Sequence, residues 1–194
     1  MKKTKNFLKQ NYKACWKFLK DSADFQIISL GIFCGFVILG FAFPFFFEQQ
    51  ILNFLKRILL KVEGMNFLKT FLFIFFNNLK ASFFAIVLGV GAGIFPVITG
   101  IANGYLLGFV ARYAASKEGI FVLWRLLPHG IFELPALIIS VGFGLKIGLE
   151  IWKKDSKKIL KKNLKESMRF FIFVILPLLV VAAAIESLLI FFGG

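Results

Sequence analysis

Apolar residues run along this chain in blocks long enough to cross a bilayer, and basic residues gather between the blocks. A spanning helix needs about 20 mostly apolar residues. The pattern predicts five spans, at residues 26–47, 71–95, 96–113, 120–149 and 170–192. Three further segments are amphipathic. Residues 5–20 place Lys9, Lys13, Lys17 and Lys20 opposite Phe7, Leu8, Tyr12, Cys15, Phe18 and Leu19. Such a helix is expected to lie flat on the membrane, although packing on other protein would use the same face. Residues 48–70 place Ile51, Leu55, Ile58 and Val62 opposite Lys56, Arg57 and Lys61, and the helix is expected to end near Gly64. Residues 150–169 are lysine-dense, with Ile151, Trp152, Ile159, Leu160 and Leu164 at helical spacing. The expected fold is all-α: a polytopic transmembrane bundle of five spans with interfacial helices, forming one integral membrane domain over 1–194.

Glycine and proline punctuate this pattern. Gly31 and Gly35 form a small-xxx-small pair in the first span. Gly89, Gly91, Gly93 and Pro96 mark a tight connection after the second. Gly100, Gly104 and Gly108 give the third span a flat face on which another backbone can approach closely. In the fourth, Ile120–Leu127 is too short to cross alone, and Pro128 suits the first turn of a new helix. The expectation is a broken fourth helix, either one kinked span or an interfacial piece plus a span.

Composition agrees with membrane residence. Of the 194 residues, 59% are hydrophobic, against about 45–50% in soluble domains. Mean hydropathy is +0.82. The net charge of +14 would suggest nucleic acid in a soluble protein. Here the lysines flank apolar blocks and no groove-reading motif accompanies them, so anionic lipid is the expected partner and nucleic acid is not. Cys15 and Cys34 lie in unlike segments with no CxxC, so no disulfide is expected. The first span is too long, and its polar leader too extended, for a cleaved signal peptide.

Charge also orients the chain. Seven lysines precede the first span, and nine basic residues, Lys146 to Arg169, separate the fourth from the fifth. Five spans put both groups on one side, sixteen basic residues against six on the other. Positive-inside bias then gives a cytoplasmic N-terminus, an extracytoplasmic C-terminus and a multi-pass cell-membrane location. In this orientation polar residues from four spans fall in the outer half of the membrane: Asn77, Asn78 and Lys80, then Asn103, then Arg125, His129 and Glu133, then Glu186. The expected cluster is charge-balanced, because ionisable groups at such depth are costly unless paired.

Some of these residues belong to motifs. Asn77-Asn78 opens a span, and Asn103-Gly104 sits in a glycine-lined one. His129-Gly130-Ile131-Phe132-Glu133-Leu134-Pro135-Ala136 is followed by Gly142, Gly144, Leu145 and Gly148. Ala183-Ala184-Ile185-Glu186 lies in the last span. Over about residues 66–190 the chain resembles the stage II sporulation protein M family. The resemblance implies a multi-span helical protein with no established enzymatic activity. The family's namesake is a membrane scaffold for two peptidoglycan-degrading sporulation proteins, and many relatives occur in organisms that do not sporulate.

Three functional readings follow. The first is a non-enzymatic scaffold or assembly partner, with membrane proteins or further copies of the chain as partners, since no complete catalytic set is present. The second is a transporter or channel for a small molecule, ion or lipid, because broken helices and intramembrane ionisable groups also mark transport paths. The third is an intramembrane metalloenzyme with His129, Glu133 and Glu186 as ligands, a weak signal because HExxH is absent. The glycines at 100, 104, 108, 142, 144 and 148 are expected to pack helices. Neither catalytic residues nor a cofactor are expected.

Overall fold

The computed structural model describes residues 2–192, and the side chains of all of these except residues 2–5 and 125–129. The described residues contain α-helices joined by short 3-10 and π turns: α1 (Lys2–Lys20), α2 (Ala23–Ala42), α3 (Glu48–Val62), α4 (Phe67–Val87), α5 (Ile94–Glu118), α6 (Leu127–Glu150), α7 (Ser156–Phe170) and α8 (Leu176–Phe192). Five stretches are long and apolar enough to cross a membrane: Ala23–Ala42, Phe67–Val90, Ile94–Glu118, Gly130–Glu150 and Ser156–Phe192.

Helix ends follow local chemistry. The Asn66 side chain accepts from the Lys69 amide at 3.0 Å and starts α4. The α4–α5 connection, read from its glycines as tight, is a 3-10 turn at Leu88–Val90 followed by Gly93 at φ +76°, a backbone region glycine enters without a Cβ penalty. The sequence predicts a fourth span over 120–149 that is broken at Pro128. A 3-10 turn, Ile120–Leu126, forms the first piece, and α6 starts at Leu127. Pro135 lies inside α6 without ending it.

Helix α6 is the hub. It packs on α2, α4, α5, α7 and α8, and every residue from Ser140 to Gly148 is buried. Glycine permits this crowding. A Cβ at Gly144 would strike the carbonyl oxygen of Ala85 in α4, and one at Gly148 would strike the backbone of Gly93. The α2–α5 pair is as tight: a Cβ on Gly104 would come within 2.6 Å of the Phe33 carbonyl oxygen, and one on Gly108 would strike that of Val37. Gly100 is looser, its nearest neighbours being Ile32 and Val141 side chains at 3.5 and 3.6 Å. Such approaches suit a bilayer, where helices associate by packing rather than by escaping water.

The fold decides two patterns that spacing leaves open. The pair Gly31 and Gly35 has the spacing of a seam, yet nothing stands within 4 Å of a Cβ at either position. Helix α2 meets α5 through Phe33, Val37 and Gly40 instead. Helix α1 does not lie purely on the membrane. Its Cys15 and Phe18 are buried, and Phe18 and Phe143 have ring centroids 4.9 Å apart. Phe7 and Tyr12 both meet Phe173, while Trp16 on the same helix stays exposed. So α1 docks on α6, α7 and the turn after α7, leaving part of its apolar surface open. By contrast, α3 buries none of its residues, as suits a surface-lying helix.

The lysine-rich segment and the last span also differ from two separate pieces. A π-helical turn at Phe171–Ile175 joins α7 to α8 as one helix, Ser156–Phe192. Its 37 residues give about 55 Å at 1.5 Å per residue, well beyond a hydrocarbon core of about 30 Å. Helix α7 is the excess, and it carries the lysines.

Candidate functional site

The polar residues singled out by sequence divide among three places. Helices α4, α6 and α8 pack against one another. Glu133 on α6 and Glu186 on α8 are half-buried, and each engages a neighbour. Asn78 is half-buried on α4. Asn77 and Lys80 turn outward, lining a groove of about 390 Å³ along the exposed face of α4 with Lys69 and Phe76. Asn103 is elsewhere. Its amide donates to the Thr99 carbonyl of its own helix at 2.8 Å, and it lines a groove between α2, α3 and α5 with Phe47, Gln50 and Phe54. Among the described side chains, α5 therefore does not join α4, α6 and α8 at one cluster. Asn103 leaves it because the face of α5 that carries Asn103 is turned toward α3. The side chains of Arg125 and His129 lie outside the described residues, so the ligand set His129, Glu133 and Glu186 does too.

A second polar assembly lies at the opposite end of the bundle, where the α1–α2 elbow rests on the end of α6. Lys146 is only 7% exposed. Its ammonium donates to the Asp21 carbonyl at 2.6 Å and to the Ser22 hydroxyl at 3.0 Å. The Ser22 hydroxyl in turn donates to the Phe18 carbonyl at 2.7 Å. Phe18 offers its ring face 4.9 Å from the ammonium. A lysine at the last carbonyls of α1 satisfies an orphan acceptor and opposes the negative end of the helix dipole. Next to it Glu150 uses both oxygens: Oε1 accepts from Lys153 at 2.9 Å and Oε2 from the buried Asn163 at 2.6 Å. These bonds fasten α1, α2, α6 and α7 together.

Sequence reasoning placed Lys146 in a basic run and missed its burial. The available signal was its company: Phe143, Leu145 and Ile147 surround it in sequence, so one face of α6 had to carry a lysine inward. It also passed over the α2–α6 hydrogen bond from the Ser29 hydroxyl to the Ile138 carbonyl at 2.7 Å. A serine in an apolar span gives no hint of which carbonyl faces it.

The fold and its polar sites define a polytopic α-helical membrane protein. The sequence profile of the family described as stage II sporulation protein M matches residues 27–189, and the chain belongs to that family. An uncharacterized protein of Methanocaldococcus jannaschii is 32% identical over 116 residues, covering 57% of this chain and 65% of that protein. A second uncharacterized protein of the same organism is 30% identical over 121 residues, covering 59% of this chain and 53% of the relative. The match thus spans less than two thirds of either relative. No solved structure matches.

Proposed function

We propose that this protein is a non-enzymatic membrane scaffold, a fixed frame on which other membrane components assemble. The observation that supports this reading is the packing of α6, where Gly144 and Gly148 bring backbone against backbone on α4 and on the turn before α5. Crowding of that kind resists the helix displacements that alternating access needs. The basic α1–α7 end faces the cytoplasm under the positive-inside rule, next to anionic headgroups. Gly31 and Gly35, with open space before them, leave a small-residue stripe on α2 for a neighbouring helix from a partner or a second copy. The test is photo-crosslinking in native membranes from two exposed positions, Phe121 and Trp152. Discrete protein adducts at one or both are expected. Lipid adducts alone would remove the reading.

The transporter reading keeps one observation in its favour: Glu133 and Glu186 sit half-buried on two helices that pack together. Uptake that disappears in Glu133→Gln while the protein still folds would promote it over the scaffold.

A further inference from the structure

The clasp at the end of α6 borders a pocket of about 260 Å³, lined by Lys146, Lys153, Lys162, Asn163, Glu150 and Asp21 among others. Both oxygens of Glu150 are already occupied by Lys153 and Asn163. Lys146 spends two of its three donors on Asp21 and Ser22. Lys162 is exposed and makes no hydrogen bond or ion pair within the described residues. Lys153 and Glu150 balance one another, which leaves the ammonium groups of Lys146 and Lys162 against the carboxylate of Asp21, an exposed residue at the rim. The buried positive charge of Lys146 cannot move away from the pocket, because the elbow holds it.

Position matters as much as charge. The pocket sits where the span Gly130–Glu150 ends and the span Ala23–Ala42 begins, and the ends of spans are where lipid headgroups lie. Lysine serves phosphate as a mobile point charge, and basic pockets between helices at this level suit phosphate-bearing headgroups.

We propose that this pocket binds a phosphate ester group, with Lys162 and Lys153 as its direct ligands and Lys146 as the fixed charge behind them. The same chemistry is offered by the headgroup of an anionic phospholipid and by a soluble phosphate, so the two sources are separated by experiment. The full chain, purified in a maltoside detergent that carries no phosphate, is titrated with phosphatidylglycerol and separately with inorganic phosphate. Bound lipid is counted by native mass spectrometry, and phosphate binding is read as a thermal shift. Lys162→Gln is expected to weaken binding about tenfold, the scale of one lost charge-assisted hydrogen bond. Lys157→Gln removes an exposed lysine of the same helix that does not line the pocket, and is expected to leave binding unchanged. Asp21→Asn removes the rim carboxylate and is expected to tighten it. Phosphatidylglycerol binding that inorganic phosphate does not displace assigns the lipid. Displacement with the same dependence on variants assigns the soluble anion. Equal losses in Lys162→Gln and Lys157→Gln would overturn the proposal, as would weaker binding in Asp21→Asn or no binding of either probe. All three substitutions fall at exposed positions and spare the core, and a wild-type thermal transition without ligand checks that the variants fold.

Discussion

Gly144 of α6 lies directly on the Ala85 carbonyl of α4, with no room for a methyl group between them. That contact, repeated at Gly148 against Gly93, is what lets one helix touch all its neighbours at once. It also separates glycines that pack from glycines that do not.

Gly144→Ala is expected to destabilise the protein. Alanine gains roughly 0.8–1 kcal/mol over glycine in helix propensity. Here the new methyl meets backbone rather than a flexible side chain, so two helices must part, at an overpacking cost of about 1–3 kcal/mol. The cost exceeds the gain over most of that range. Gly31→Ala meets open space and is expected to be neutral or slightly stabilising. Thermal unfolding of the two variants in detergent makes the comparison, and equal transition temperatures would contradict the packing described.

Lys146→Met is expected to loosen the elbow between α1 and α2. It strips the Asp21 carbonyl of its donor, a loss of about 1 kcal/mol, which corresponds to about a fivefold rise in local opening. Trypsin cleavage after the exposed Lys20 reads this directly. An unchanged cleavage rate would mean that Lys146 does not hold α1 in place.

The spans and their order were legible because length and hydropathy leave few alternatives to a helix in lipid. Their facing was less so. Gly100, Gly104 and Gly108 announce a seam and all three are buried in one, most tightly at 104 and 108, while Gly31 and Gly35 carry the same spacing and face outward. Periodicity shows that a face is flat, not what stands opposite it. Helix α1 illustrates the same limit, since lipid and protein ask for the same apolar stripe and only the fold shows that Cys15 and Phe18 chose protein. Depth alone assigns Asn103 to the polar cluster. Depth fixes one coordinate, and the direction around α5 carried it to the groove beside α3.

Burial raises the pKa of Cys15 in α1, and Arg169 opposes that shift only in part. The folded thiol therefore keeps its proton at pH values where the unfolded thiol has lost it. This contribution to stability is fully present below the unfolded pKa of about 8.5 and fades as pH rises through the folded value. Thermal transitions followed upward from pH 8 should fall more steeply in the wild type than in Cys15→Ala. Parallel slopes would count against the burial of Cys15.

The orientation proposed above is tested by single cysteines in a background lacking Cys15 and Cys34. Lys165→Cys on α7 is expected to react with an impermeant maleimide only after the membrane is opened. Lys61→Cys on α3 should react in intact cells. The reverse pattern would invert the topology and move the phosphate pocket to the outer face.

Flux across proteoliposomes tests the scaffold reading most directly. Purified protein is reconstituted and challenged with a panel of cations, anions, small organic solutes and fluorescent lipids, beside empty vesicles and vesicles holding Glu133→Gln. The expected result is the same leak in all three for every solute. A protein-dependent flux for any one of them, lost in Glu133→Gln, would contradict a fixed frame and make the half-buried carboxylates of α6 and α8 a transport path.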